Sequence, residues 1–157
     1  MKDNKILVLP LILLSIDQIS KITAVKYLTE EKRVFGEFIT LQLHRNPGAA
    51  FSILTEHTPL LSIIAITAIV IILLQLKNIK NNPEKRAQKT PLLVLLSGIL
   101  GNLADRIFRE PSPFNGSVID FINVKNFAVF NFSDTLIFIS LCLLLIRMSS
   151  GSKQIKR

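Results

Sequence analysis

The sequence predicts an all-α membrane protein with four transmembrane helices and a small extracytoplasmic β-sheet between the first two. Three observations predict it. The chain of 157 residues is 49% hydrophobic, with a mean hydropathy of +0.45, high for a water-soluble domain. Its apolar residues fall in four blocks, residues 6–16, 58–76, 90–104 and 126–146, and only the last contains a charge, Asp134. Its basic residues, which carry the net charge to +8, gather between and beyond those blocks. A length this short predicts a single domain, residues 1–157.

A helix needs about 20 residues to cross a hydrocarbon layer about 30 Å thick. The first run reaches that length as a helix over about 5–27, provided it carries Asp17 and Lys21. Lys2 and Lys5 ahead of an apolar stretch resemble a secretory leader, but Asp17-Gln18-Ile19-Ser20-Lys21 follows in place of a small-x-small cleavage pattern. An uncleaved first helix is therefore expected. Residues 37–45 then alternate, with Ile39, Leu41 and Leu43 on one face and Thr40, Gln42 and His44 on the other, a strand pattern. Asn46-Pro47-Gly48 reads as a turn, and the external β segment is expected over about 34–55. The second helix, about 58–76, carries no charge at all. Asn81-Asn82-Pro83 marks an inner turn. The third helix is expected over about 90–108, residues 110–125 as an external loop, and the fourth helix over about 127–147.

Lysine and arginine in short loops set orientation. Lys77, Lys80, Lys85, Arg86 and Lys89 share the second connection with one acid, Glu84, and the tail holds Arg147, Lys153, Lys156 and Arg157. The other connections mix signs, with Lys26, Lys32, Arg33 and Arg45 among Glu30, Glu31, Glu37 and Glu56. Both termini are thus expected in the cytoplasm. The basic excess reads as a topology signal, not as a nucleic-acid surface, because no soluble basic domain presents it.

The single cysteine, Cys142, excludes an internal disulfide and a multi-cysteine metal site. His44 and His57 are the only histidines, and no serine-hydrolase, zinc-protease or phosphate-loop motif is present. What remains is carboxylates. An acid inside the bilayer is costly and is a functional candidate by default. At about 1.5 Å per helical residue, Asp17, Asp105 and Asp134 lie roughly 18, 24 and 20 Å from the inner face, a common depth near the outer side. Asp17 has Lys21 at i+4, and Asp105 has Arg106 beside it and Asn102 one turn before, so these groups suit pairing between helices. Asp120 and Asp134 have no basic partner nearby in sequence, and Asn131 precedes Asp134 by three. Two carboxyls brought close share one proton, so one can take a proton from water while the other gives one to a scissile group. Two other classes stay open on these residues: a small ion or proton carrier using Asp17, Asp105 and Asp134, and a scaffold whose acids only pair.

Five segments resemble the type II (lipoprotein) signal peptidases, aspartyl proteases of bacterial membranes. They are Asp17-Gln18-Ile19-Ser20-Lys21, the run from Arg45 to Ser52, Gly101-Asn102-Leu103-Ala104-Asp105-Arg106, Val118-Ile119-Asp120-Phe121, and Phe130-Asn131-Phe132-Ser133-Asp134. Each is weak alone; together, in order and over nearly the whole chain, they are specific. The resemblance implies Asp120 and Asp134 as the catalytic pair. It implies Asn46, Gly48, Asn102, Arg106 and Asn131 as residues shaping the substrate pocket, and Asp17, Lys21 and Asp105 as structural support. The implied substrate is a prolipoprotein already carrying diacylglycerol on its cysteine, cut just before that cysteine at the outer face of the bacterial inner membrane. No metal or organic cofactor is implied, and no partner beyond substrate and membrane lipids; a monomer is expected. The chain departs from the family at Ser133, where alanine is usual, and at Ser97-Gly98, where a glycine pair is usual, and its connection between Asp120 and Asp134 is short. Gly36 and Gly116 are expected flexible points in the external segments.

Overall fold

The computed structural model describes residues 7–48, 58–110 and 113–154. In chain order they form α1 (Val8–Tyr27), β1 (Lys32–Phe35), β2 (Ile39–Asn46), α2 (Thr58–Asn81), a 3₁₀ turn (Pro83–Gln88), α3 (Lys89–Phe108), β3 (Val118–Val124), β4 (Ala128–Phe130) and α4 (Phe132–Gln154). Helix α3 is the hub: α1, α2 and α4 all pack on it. Its apolar side chains are accordingly buried, Leu92, Leu93, Leu95, Leu96 and Leu103 among them. The outer three helices do the reverse and leave rows of large apolar side chains exposed, such as Leu11, Ile12, Ile19 and Ile22 on α1 and Ile63, Ile64, Ile71 and Leu74 on α2. Such rows far exceed what a water-soluble protein exposes, and lipid is the solvent that suits them. Three segments, Val8–Tyr27, Thr58–Asn81 and Glu84–Phe108, are long and apolar enough to cross a membrane.

The interior divides in two. Ile72 and Ile79 of α2 and Leu92, Leu95 and Leu96 of α3 form an apolar cluster towards the 3₁₀ turn, joined by Ile137 and Leu144 of α4. At the opposite end the buried side chains are polar: Asp17, Lys21, Asp105, Asn131 and Ser133 are all sealed from solvent. Helices α3 and α4 meet between these regions through Gly98 and Gly101. A Cβ on Gly98 would lie 2.7 Å from the Ser133 carbonyl oxygen and 2.8 Å from Ile137 Cγ1.

The sheet is larger than the sequence suggests. Its four strands run in the order β1-β2-β3-β4, each pair antiparallel. Residues 118–124, expected as loop, form β3. Val118, Ile119, Phe121, Ile122 and Val124 are good strand formers, and β2 offers the free edge that they need. The fourth helix does not begin near 127: residues 128–130 form β4, and Asn131 caps a helix that starts at Phe132. In β2 the expected faces are mixed, because the pairing with β3 shifts between Leu41 and His44. Thr40, expected on the polar face, is buried and accepts a hydrogen bond from Asn123 Nδ2. The part of the expected β segment beyond Gly48, and His57, lie outside the described residues. Gly36 has the left-handed φ of +55° in the β1–β2 turn with open space around it. Gly116 is no flexible point. Its N–H donates to the Arg106 carbonyl, and a Cβ there would lie 2.6 Å from the Arg109 carbonyl oxygen and 2.7 Å from that of Asp105.

Candidate active site

Helix α4 begins with a reciprocal cap. Asn131 Oδ1 accepts from the Asp134 N–H at 2.9 Å, and Asp134 Oδ2 accepts from the Asn131 N–H at 3.1 Å. This is a capping box with aspartate in the third helical position, so the motif that starts the helix also aims Asp134. Its other oxygen, Oδ1, accepts from Asn102 Nδ2 of α3 at 2.8 Å. Asp120 sits on β3 and is almost wholly buried. Its Oδ1 accepts from Asn131 Nδ2 at 2.7 Å and its Oδ2 from Asn46 Nδ2 at 2.9 Å. One fully buried asparagine, Asn131, thus bonds both carboxyls, one through its side chain and one through its backbone.

The turn Asn46-Pro47-Gly48 presents Asn46 to this site. The Gly48 N–H donates to Asn46 Oδ1 at 2.9 Å, which leaves the amide nitrogen for Asp120. Arg106 Nη2 donates to the Gly48 carbonyl at 3.0 Å, and Nη1 donates to the Asn102 carbonyl at 3.3 Å. Its Nε is buried with no hydrogen-bond partner among the described residues. Arg106 does not pair with Asp105, its neighbour in sequence. Asp105 faces away from the cleft and takes Lys21 at 3.0 Å and Arg109 at 2.7 Å.

Asn46, Gly48, Asn102, Arg106, Asp120 and Asp134 line the polar end of a cavity of about 540 Å³. Its other walls are apolar: Phe127 to Phe130 on one side, and Ile137, Phe138 and Leu141 of α4 on the other. Phe138 is 69% exposed, so the apolar end opens on the exposed side of α4. Burial pushes the Asp120 carboxyl up to about 6; the Asp134 charge adds to the rise, while hydrogen bonds from Asn46 and Asn131 and the Lys21 cation oppose it.

Behind the cleft, Lys21 Nζ donates to Asp17 Oδ2 at 2.9 Å, Asp105 Oδ2 at 3.0 Å and Asn102 Oδ1 at 3.0 Å. Its three protons meet three acceptors in a sealed site, the condition under which a buried charge is tolerated. Gln18 Nε2 donates to Asp17 Oδ2 at 3.0 Å and to the Gly101 carbonyl at 3.1 Å. The ten residues that the sequence assigns to the site or its support therefore fall in one connected network. Gln18 and Arg109 join it unannounced. The i,i+4 spacing of Asp105 and Arg109 was the available signal for the second, and the signal for Gln18 was only its place beside Asp17. The hydroxyl of Ser133, the residue that stands where alanine is usual, makes no hydrogen bond among the described residues and is buried against Gly101. No three His, Cys, Asp or Glu side chains gather as a metal site among the described residues.

A sequence model of the family described as signal peptidase (SPase) II matches residues 9–150. The lipoprotein signal peptidase of Mycobacterium leprae is 34% identical over 137 residues, 86% of this chain and 66% of that protein. That of Streptomyces griseus is 41% identical over 104 residues, 66% of this chain and 51% of the relative. The chain thus spans from about half to just under two thirds of these relatives' lengths. A bacterial membrane enzyme solved by the in meso method at 2.3 Å resolution superposes with a TM-score of 0.79 at 24% identity. The match covers 97% of this chain and 92% of that one and shows a shared fold.

Proposed function

The chain belongs to the signal peptidase II family, and from that premise we propose that it is an aspartic endopeptidase of the bacterial inner membrane. It removes signal peptides from diacylglyceryl-modified prolipoproteins by cutting before the lipidated cysteine. The observation that carries the reading is the bridge made by Asn131 between Asp120 and Asp134 at the polar end of a cleft whose other end is apolar. The two ends suit the two parts of such a substrate: a peptide bond for the carboxyls, and an acyl chain or apolar signal segment for Ile137, Phe138 and Leu141.

The pair works with one proton between its members. Asp120, whose carboxyl holds its proton up to about pH 6, is the acid, and Asp134 is the base. Asp134 takes a proton from a water whose oxygen attacks the scissile carbonyl carbon. Asp120 gives its proton to the carbonyl oxygen, which yields a tetrahedral diol. On collapse Asp134 returns its proton to the leaving nitrogen as the C–N bond breaks, and Asp120 recovers one from a diol hydroxyl. The carboxyl pair and its water suffice for this route. Arg106 and Asn102 shape the pocket, with the Arg106 guanidinium held by the Gly48 and Asn102 carbonyls. Helix α4 is the fourth span, the sheet and cleft lie outside, both termini lie inside, and the protein acts as a monomer without nucleic acid.

The decisive experiment is cleavage of a diacylated precursor peptide by the purified protein. Asp120→Asn and Asp134→Asn are each expected to abolish cleavage while the protein still inserts and accumulates. Full activity in either variant overturns the roles. A carrier using Asp17, Asp105 and Asp134 predicts instead ion flux in liposomes that survives Asp120→Asn.

A further inference from the structure

The Lys21 cluster is tied to the backbone just ahead of Asp120 and of Asp134 by a pair of matched contacts. Asp105 Oδ2, held by Lys21, accepts from the Ile119 N–H at 3.2 Å. Asp17 Oδ1 accepts from the Ser133 N–H at 2.9 Å, and its Oδ2 is held by Lys21. Ile119 and Ser133 directly precede Asp120 and Asp134. The third proton of Lys21 goes to Asn102 Oδ1, and the Asn102 amide donates to Asp134. One ammonium thus reaches the backbone beside each aspartate through one carboxylate apiece, and Asp134 a second time through Asn102. The strand and the helix that carry the aspartates are also joined to each other directly, by the Asn131 bond to Asp120 and by the pairing of β3 with β4, which runs into α4. The Lys21 cluster adds a tie from the strand to α3 and from the helix to α1.

Resting on the aspartic-pair reading above, we propose that Lys21 is a positioning residue: it sets the spacing of Asp120 and Asp134 by clamping the N–H groups of Ile119 and Ser133 through Asp105 and Asp17. Its contribution is geometric and goes beyond cancelling the charge of two buried acids. A displacement of about 1 Å in a reacting group can cost about 100-fold in rate, so loss of the clamp acts on kcat before it acts on binding.

Lys21→Met alone leaves Asp17 without a cationic partner and risks unfolding. Lys21→Met with Asp17→Asn removes one charge of each sign, while Asp105 keeps Arg109. The full chain in micelles is compared with the unaltered protein in three ways: thermal midpoint, kcat and KM on the diacylated peptide, and amide hydrogen exchange resolved at residues 119 and 133. The double variant is expected to melt near the unaltered protein, with kcat lower by about 100-fold at similar KM. Exchange at both amides is expected to be about tenfold faster or more. If kcat recovers together with stability, Lys21 serves only to neutralise charge and the proposal falls; unchanged protection at the two amides overturns it equally. The exchange measurement needs no turnover. Failure of the aspartic-pair reading would show as activity in Asp120→Asn or Asp134→Asn and would leave the exchange result standing.

Discussion

Asp120 carries the clearest consequence at the scale of a single residue. Its carboxyl is buried beside a second one and is pushed up to about 6 from the usual carboxylate value. A raised carboxyl keeps its proton at low pH and loses it as pH climbs through the raised value. In the proposed mechanism the pair needs that proton on the free enzyme, and kcat/KM reports the free enzyme. Cleavage efficiency is therefore expected to decline on the alkaline side with an apparent pKa near 6. A kcat/KM profile that stays level up to pH 8 would remove Asp120 as the acid. Much of this site was legible residue by residue. Asp17 and Lys21 stand four apart on one helix and do pair. Asp105 was a poorer inference, because its sequence neighbour Arg106 points to Gly48 instead. Which cation an acid meets across helices depends on rotation about the helix axis, and no local spacing encodes it.

Packing of whole elements explains what the sequence left as loop. β3 reads as strand only when β2 stands ready to pair with it, and β-propensity is a property of such context more than of the backbone. The helix start at Phe132 was visible in outline, since Asn131 and Asp134 have the spacing of a capping box. The apolar β4 before it hid the boundary. The approach of α3 to α4 was less visible still: it rests on Gly98 and Gly101, which look permissive in sequence but leave no room for a Cβ. A Cβ at Gly101 would overlap Ser133 Oγ and the Asp17 carboxylate. Gly101→Ala is expected to lower stability by about 1–3 kcal/mol, the usual cost of overpacking. Ser133→Ala removes an orphaned buried hydroxyl and is expected to raise stability by about 1 kcal/mol. The double variant should cost less than Gly101→Ala alone, because part of the collision is gone. Thermal unfolding of the four proteins in micelles tests the cycle, and strict additivity would mean that the two residues do not meet as described.

For the molecule as a whole, the two ends of the bundle differ in charge as much as in polarity of core. Around the 3₁₀ turn stand Lys77, Lys80, Lys85, Arg86 and Lys89 with one acid, Glu84, and α4 runs towards the same end with Arg147. The sheet end carries Lys26, Lys32, Arg33, Arg45, Arg109 and Lys125 against Glu30, Glu31, Glu37, Glu110 and Asp120, so its charges nearly balance. Only the first end carries the excess that holds a loop in the cytoplasm. In the proposed orientation the apolar half of the interior and the basic turn face inward, and the cleft faces the side on which an exported precursor would arrive. Surface labelling can decide this. In a Cys142→Ala background, Gln42→Cys on exposed β2 and Ala87→Cys on the exposed 3₁₀ turn each offer one thiol. A membrane-impermeant maleimide added to intact spheroplasts is expected to label Gln42→Cys at once and Ala87→Cys only after lysis. The opposite pattern would set Asp120 and Asp134 at the cytoplasmic face, where no translocated signal peptide could reach them, and the peptidase reading would fail with the orientation.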